Sequence, residues 1–392
     1  MSFDFAKEIR NEIEKIRIYR RHIHAHPELS FEEYETSRYI QSVLKENGVE
    51  FQTFDDINGI LATVNGAKSG PCVAFRADFD ALALEEENDC DFRSQNDGIM
   101  HACGHDMHAA VLLGLASVLQ KNRKELAGKI RFIFQHAEEC TPGGALSMIE
   151  RGALEGVDAI FGMHVIANLN VGEIGLADGA MMAAADRFRI DVKGLGGHGA
   201  QPHTTVDTLV AGARIVVDLQ NIVSRMTDPM TPAVVTVGKF QCGNAFNIIQ
   251  EHAVLEGTVR TLDENVRARI EKAIRQTAEG VCTATGAGFQ FDYIRGYPPL
   301  INHKEMTALA RTAVKRLGYR PVDVVPAMFG EDFSYYLQKA PGCYFFIGCS
   351  NPSKGLVSPN HSPTFFPDED CLEISALMML ETGLEFLLNP FF

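Results

Sequence analysis

Cys72-Val73-Ala74-Phe75-Arg76-Ala77-Asp78-Phe79-Asp80 passes from four unbroken apolar residues into a stretch carrying one arginine and two aspartates. An apolar run without alternation reads as a strand covered on both faces, as in a parallel sheet with helices on either side. The pattern repeats outward. Ile130–Phe134 runs into Gln135-His136-Ala137-Glu138-Glu139, Ala159–Met163 runs into His164, and Cys343–Ile347 leads through a Pro/Ser-rich loop to His361. Helix-like stretches at Ala109–Leu119, Ala145–Leu154, Lys304–Leu317 and Leu372–Leu388 separate or follow these runs. The expected class is α/β, with a mainly parallel sheet and helices on both faces.

The middle of the chain follows another rule. Arg187-Phe188-Arg189-Ile190-Asp191-Val192-Lys193 alternates strictly between polar and apolar, the mark of a strand with one solvated face. Ala253–Val259 is a less regular second strand, and helix-like stretches at Thr208–Val223 and Asn265–Thr277 accompany the two. The first pattern returns after Tyr297-Pro298-Pro299. We therefore expect a discontinuous α/β domain over 1–185 and 296–392, interrupted at 186–295 by a smaller α+β domain with an antiparallel sheet.

Composition narrows the function. The 392 residues suit two or three domains, and 46% hydrophobic with 22% charged residues is ordinary for a globular protein. A formal charge of −15 argues against nucleic acid or an anionic membrane as partner. The longest apolar run, Ala109–Leu119, is well short of the roughly 18 residues of a spanning helix. The first residues show Ile9, Ile13 and Ile16 at helical spacing rather than a secretion signal, so the expected location is the cytoplasm. Nine cysteines form no CxxC pair, and an odd number cannot all pair within one chain.

Sites in open α/β sheets form beyond the carboxyl ends of the strands. A lone histidine there is usually just hydrogen-bonded, but His101-Ala102-Cys103-Gly104-His105-Asp106-Met107-His108 adds to the polar groups at four strand ends. Cys103, His105, Glu139, His164 and His361 are the residue types that bind a divalent metal such as zinc. Five protein ligands exceed what one tetrahedral catalytic ion uses, so two ions sharing a bridging ligand fit better, and hydrolysis is the chemistry suggested. Glu138 and Glu139 are neighbours, which in extended chain point to opposite sides, so one carboxylate can hold metal while the other faces water as general base.

Gly194-Leu195-Gly196-Gly197-His198-Gly199 matches a dinucleotide-binding pattern, with Asp218 further on, and makes an NAD-dependent oxidoreductase the competing reading. The preceding strand alternates, however, and Pro202 and Asp207 delay the helix that should receive a pyrophosphate.

Eight motifs, in order, resemble the M20 metallopeptidase family. They are RRHIHAHPELSFEE from Arg20, RADFDAL from Arg76, MHACGHDMHAA from Met100, HAEE from His136, GMHV from Gly162, GGHGAQPH from Gly196, FGEDFS from Phe329 and NHSPTFF from Asn360. The likeness spans essentially the whole chain and is specific to the amidohydrolase branch, with its hippurate hydrolases, indole-acetyl-amino-acid hydrolases and N-acyl-amino-acid deacylases. It implies a catalytic domain with two divalent ions (zinc, manganese, cobalt or nickel) held by the same five residues, and an inserted lid that makes a homodimer or a higher assembly. It makes Glu138 the general base acting on a metal-bridging water, and Asp80 the aspartate that orients the metal site. His198 becomes the lid histidine reaching the partner subunit's site, and Asn247 in GNAFNIIQEH a substrate-binding residue. The sequence departs from the family pattern at Ala83, at Cys140-Thr141-Pro142 and at Ile249-Gln250, which leaves substrate preference open. The function so implied is hydrolysis of N-acyl-amino acids, with a dipeptidase or aminoacylase of the same mechanism as the alternative.

Overall fold

The computed structural model describes residues 3–389. The chain divides into two compact units, one made of 1–179, 301–325 and 332–392, the other of 180–300 and 326–331.

The first unit is built on an eight-stranded sheet in the order Glu50–Thr53, Ile60–Asn65, Ala127–Gln135, Lys68–Asp78, Ala159–Asn170, Gly342–Ser350, Glu173–Leu176, Arg320–Asp323. Its four central strands, from Ala127–Gln135 to Gly342–Ser350, are mutually parallel. Antiparallel neighbours flank them on both sides. The apolar runs are the buried cores of longer strands: Gly342–Ser350 is buried along its entire length. Successive side chains leave opposite faces of a strand. Phe75 faces the Asp370–Leu388 helix, where Gly383 leaves room for its ring, while Arg76 faces Phe333 at the start of the Ser334–Leu337 helix. The sheet is thus covered on both sides, as the unalternating strands imply.

The central helix of this unit, His105–Lys121, is buried on almost every side and packs against the Phe5–Ala25 helix. The predicted Ala145–Leu154 helix is shorter, Ala145–Glu150, and Arg151 is already outside the helical turn.

The second unit pairs four antiparallel strands in the order Ala233–Gln241, His252–Thr261, Ala184–Lys193, Gly288–Ile294. Phe188, Ile190 and Val192 are buried and Arg187, Arg189 and Lys193 exposed, so the alternation in sequence is the alternation of burial. Helices Thr208–Arg225 and Glu264–Thr285 cover the apolar face. The glycine run Gly194–Gly199 opens no helix: the next α-helix begins at Thr208, capped by the Asp207 side chain. No helix among the described residues is long and apolar enough to cross a membrane.

Gly383 tests the packing. A Cβ there would lie 2.4 Å from Cζ of the buried Phe75. Gly383→Ala gains about 1 kcal/mol of helix propensity but incurs about 1–3 kcal/mol of overpacking. A lower urea midpoint with an unchanged slope is the expected result.

Candidate metal centre

The parallel strands set down their last residues at one edge, and the ligand-type side chains lie there. Asp78 ends one strand and Asp80 follows it; His136, Ala137, Glu138 and Glu139 follow the next; His164 lies within the third. Cys103 and His105 flank Gly104, the residue before the central helix. Gly104 has φ +99°, and a Cβ there would lie 2.3 Å from Val165 Cγ2, so only glycine lets the thiol and the imidazole turn toward the same place. Among these residues, Cys103 Sγ lies 3.2 Å from His164 Nε2 and 3.3 Å from His361 Nε2. Glu139 Oε1 lies 3.5 Å from His361 Nε2 and 3.9 Å from His105 Nε2. Two groups of convergent ligand atoms result, Cys103 with His105 and His164, and Cys103 with Glu139 and His361; Glu138 joins a third with His105 and Glu139.

Hydrogen bonds fix which nitrogen faces inward. His105 Nδ1 donates to Asp80 Oδ1 and to the Asp80 carbonyl, each at 3.0 Å, and His164 Nδ1 donates to the Val165 carbonyl at 2.7 Å. Each ring thereby presents Nε2 to the cluster. Asp80 also accepts the Glu139 backbone N–H at 2.9 Å and the Ser30 hydroxyl at 2.7 Å, so one carboxylate sets both a histidine and a glutamate.

The electrostatics suit a cation. Burial would lower His105, but Asp78, Asp80 and Glu139 outweigh it and push the ring up to about 10. Burial first, then Glu139 and Glu138, raise the Cys103 thiol well above its ordinary value. Burial, with His108 and His105 alongside, holds His164 well below its own. His105 Nε2 and Glu139 Oε1 are buried without a hydrogen-bond partner, although both face the cluster. A set of soft and hard donors with two orphaned polar atoms at its centre fits divalent metal.

His198 and Asn247 lie in the second unit, where they are brought together: His198 pairs with Ile248, and the Gly199 N–H donates to the Asn247 carbonyl at 2.8 Å. Both side chains are exposed.

Several supporting residues escaped the sequence reading. His108 Nδ1 bonds Asp78 Oδ1 at 2.6 Å while its Nε2 accepts the Val165 N–H at 3.0 Å, steadying the strand beside His164. Asn360 spans three segments, donating to the carbonyls of Cys103 and Val165 and accepting the Ala167 N–H. Behind the central helix, Asp106 accepts from Arg20 Nε at 2.7 Å and from His24 Nδ1 at 2.8 Å, while His24 Nε2 reaches Glu86 at 3.1 Å. Arg20 and Asp106 are both fully buried. His24 faces a carboxylate from each ring nitrogen, and these reverse the lowering that burial and Arg20 impose. Motif membership was the signal for Arg20, His24, Asp106, His108 and Asn360, and Glu86 had none; the pairings join residues far apart in sequence.

Burial alone would raise the Asp106 carboxyl, but Arg20 and then His24 hold it well below the ordinary range. Its contribution to stability is therefore complete above about pH 4 and fades as the pH falls toward its folded value. Arg20→Met, which leaves the buried Asp106 with His24 as its one remaining cationic partner among the described residues, is expected to cost up to about 3–5 kcal/mol in urea unfolding at pH 7. The gap to the parent protein should narrow below about pH 4.

A family description, Peptidase family M20/M25/M40, matches residues 74–383. N-acyl-L-amino acid amidohydrolase of Geobacillus stearothermophilus is 45% identical over 287 residues, 73% of this chain and 78% of that protein. N-acetyl-L-cysteine deacetylase of Bacillus subtilis (strain 168) is 39% identical over 368 residues, 94% of this chain and 87% of its own. Among solved structures, the Bacillus subtilis YxeP protein, described as a dinuclear metal-binding peptidase of the M20 family, superposes with a TM-score of 0.85 at 36% identity, covering 97% of this chain and 99% of that one.

Proposed function

Because the chain belongs to peptidase family M20/M25/M40 and is a metal-dependent hydrolase of amide bonds, we propose that it cleaves N-acyl-amino acids, with Glu138 as the general base. The observation that carries this reading is Cys103 Sγ, shared between two groups of ligand atoms with Glu138 alongside. Cys103, His105, Glu139, His164 and His361 are the residues that would hold two divalent ions, whether zinc, manganese, cobalt or nickel. When bound, such ions polarise an amide carbonyl and make water acidic enough to attack at neutral pH.

The remaining tasks fall to side chains. Glu138 takes one proton as the water oxygen bonds to the amide carbon, then delivers it to the nitrogen as the C–N bond breaks, so carboxylic acid and free amine leave together. Asp80 keeps His105 in the required tautomer. His198 would donate to the developing oxyanion and Asn247 would contact substrate, both supplied within a homodimer formed through the second unit. The lid reading of 186–295 belongs to the same proposal. So does a cytoplasmic setting, which the nine cysteines, all without disulfide partners, favour.

Purified protein should contain two ions per chain by elemental analysis and hydrolyse members of a panel of N-acetyl- and N-benzoyl-amino acids. Fewer than two sites with Cys103 and His105 intact would end the two-ion mechanism. Glu138→Gln is expected to keep the ions and lose about 10²–10⁴-fold in kcat. His198→Ala should lower kcat by about 10²-fold or more, as loss of an oxyanion donor does. A fully active monomer isolated by size exclusion would remove His198 from the partner's site.

A further inference from the structure

Arg20–Glu33 is a motif with no part in the bond cleavage just described, yet its last residue reaches the catalytic turn. Glu33 is fully buried. Its Oε1 accepts the backbone N–H of Phe31 at 2.9 Å and that of Ala137 at 2.8 Å, and its Oε2 accepts from Asn58 Nδ2 at 2.9 Å. Phe31 has φ +70° and Ala137 φ +52°; with His361 they are the non-glycine residues of left-handed backbone among those described. That conformation is unfavourable for any residue with a Cβ and persists only where the surroundings impose it. One carboxylate oxygen therefore holds two such residues, and the second immediately precedes Glu138 and Glu139.

We propose that Glu33 is a positioning residue for Glu138: its carboxylate fixes the left-handed turn at Ala137, and that turn decides which way Glu138 points, while Asp80 holds the Glu139 N–H. The claim rests on the reading of Glu138 as base. Rotation about the Ala137 backbone swings the next side chain, so a relaxed turn would misdirect Glu138 without removing it. The Ala137 carbonyl is anchored separately by the Gly144 N–H at 3.0 Å, which leaves the N–H side of the turn to Glu33. Burial and the nearby Asp80 raise the Glu33 carboxyl to about 7, an unfavourable place for a carboxylate unless its hydrogen bonds hold something in return. Glu33 touches neither substrate nor any of the five ligand residues in these contacts; it acts through Ala137.

Two conservative variants separate reach from charge. Glu33→Gln keeps an oxygen at the Oε1 position, whereas Glu33→Asp keeps the charge but withdraws it by one methylene. In the metal-loaded protein, Glu33→Gln should hold kcat within about 3-fold of the parent. Glu33→Asp should lose about 10–100-fold in kcat with KM nearly constant and two ions still bound, the scale expected of a misplaced reacting group. In the metal-free protein, hydrogen exchange over 136–140 should be faster in Glu33→Asp than in the parent or Glu33→Gln. Parent-like kcat in Glu33→Asp overturns the proposal, as does an equal loss in Glu33→Gln. Failure of both variants to fold, or loss of their ions, makes Glu33 merely structural and overturns it too. A parent protein inactive on the whole panel of N-acyl-amino acids defeats the proposed function itself, and this inference with it; an active parent with an unaffected Glu33→Asp defeats the inference alone.

Discussion

Asp80 binds three donors at once: the His105 ring, the Glu139 backbone and the Ser30 hydroxyl. These come from the central helix, the loop after the Ala127–Gln135 strand and the N-terminal segment, and a fully buried carboxylate is tolerated only because all three meet it. Everything at the strand edge is placed relative to this anion. The histidine shows Nε2 to the cluster because Asp80 takes Nδ1, and Glu139 lies where its N–H is held. Asp78, two residues back on the same segment, does the corresponding work through His108 for the strand that carries His164. Burial alone would raise Asp78, but Arg76, His105 and His108 keep it well below the ordinary carboxylate range.

The layers of charge follow from that arrangement. Innermost are the Cys103 thiol, the His105, His164 and His361 imidazoles and the Glu138 and Glu139 carboxylates. Around them stands a shell of carboxylates bound to histidine or arginine, and behind the central helix lies the Arg20, His24, Asp106 and Glu86 group. Such closed ionic sets add little to stability by themselves compared with apolar packing. Their value lies in direction, since each pairing accepts only one orientation of each ring and guanidinium.

Much of this could be read from residues in a line. Unalternating runs such as Cys72–Phe75 meant a covered parallel sheet, the alternation at Arg187–Lys193 meant a half-solvated antiparallel one, and polar groups after apolar runs foretold where ligand types would gather. Local periodicity is silent about partners far away. Nothing near Glu33 announces Ala137, and nothing near Asn360 announces Cys103 or Val165, because those bonds depend on how strands are ordered rather than on spacing along the chain. Left-handed backbone at Phe31, Ala137 and His361 was equally hidden: glycine advertises that conformation, whereas phenylalanine, alanine and histidine conceal it.

The strand order has one more implication. Gly342–Ser350 lies between Ala159–Asn170 and Glu173–Leu176, which are consecutive in the chain, so the middle of the sheet is filled by a strand made some 170 residues after its neighbours. During synthesis from the N-terminus, two apolar strand edges must wait through the whole of the second unit before they are covered. The cluster of ligand-type side chains waits as well, since His361 comes after that strand. An elongating chain thus cannot bring Cys103, His105, Glu139, His164 and His361 together early, and the step that completes the hydrophobic sheet is closely followed by the one that supplies His361.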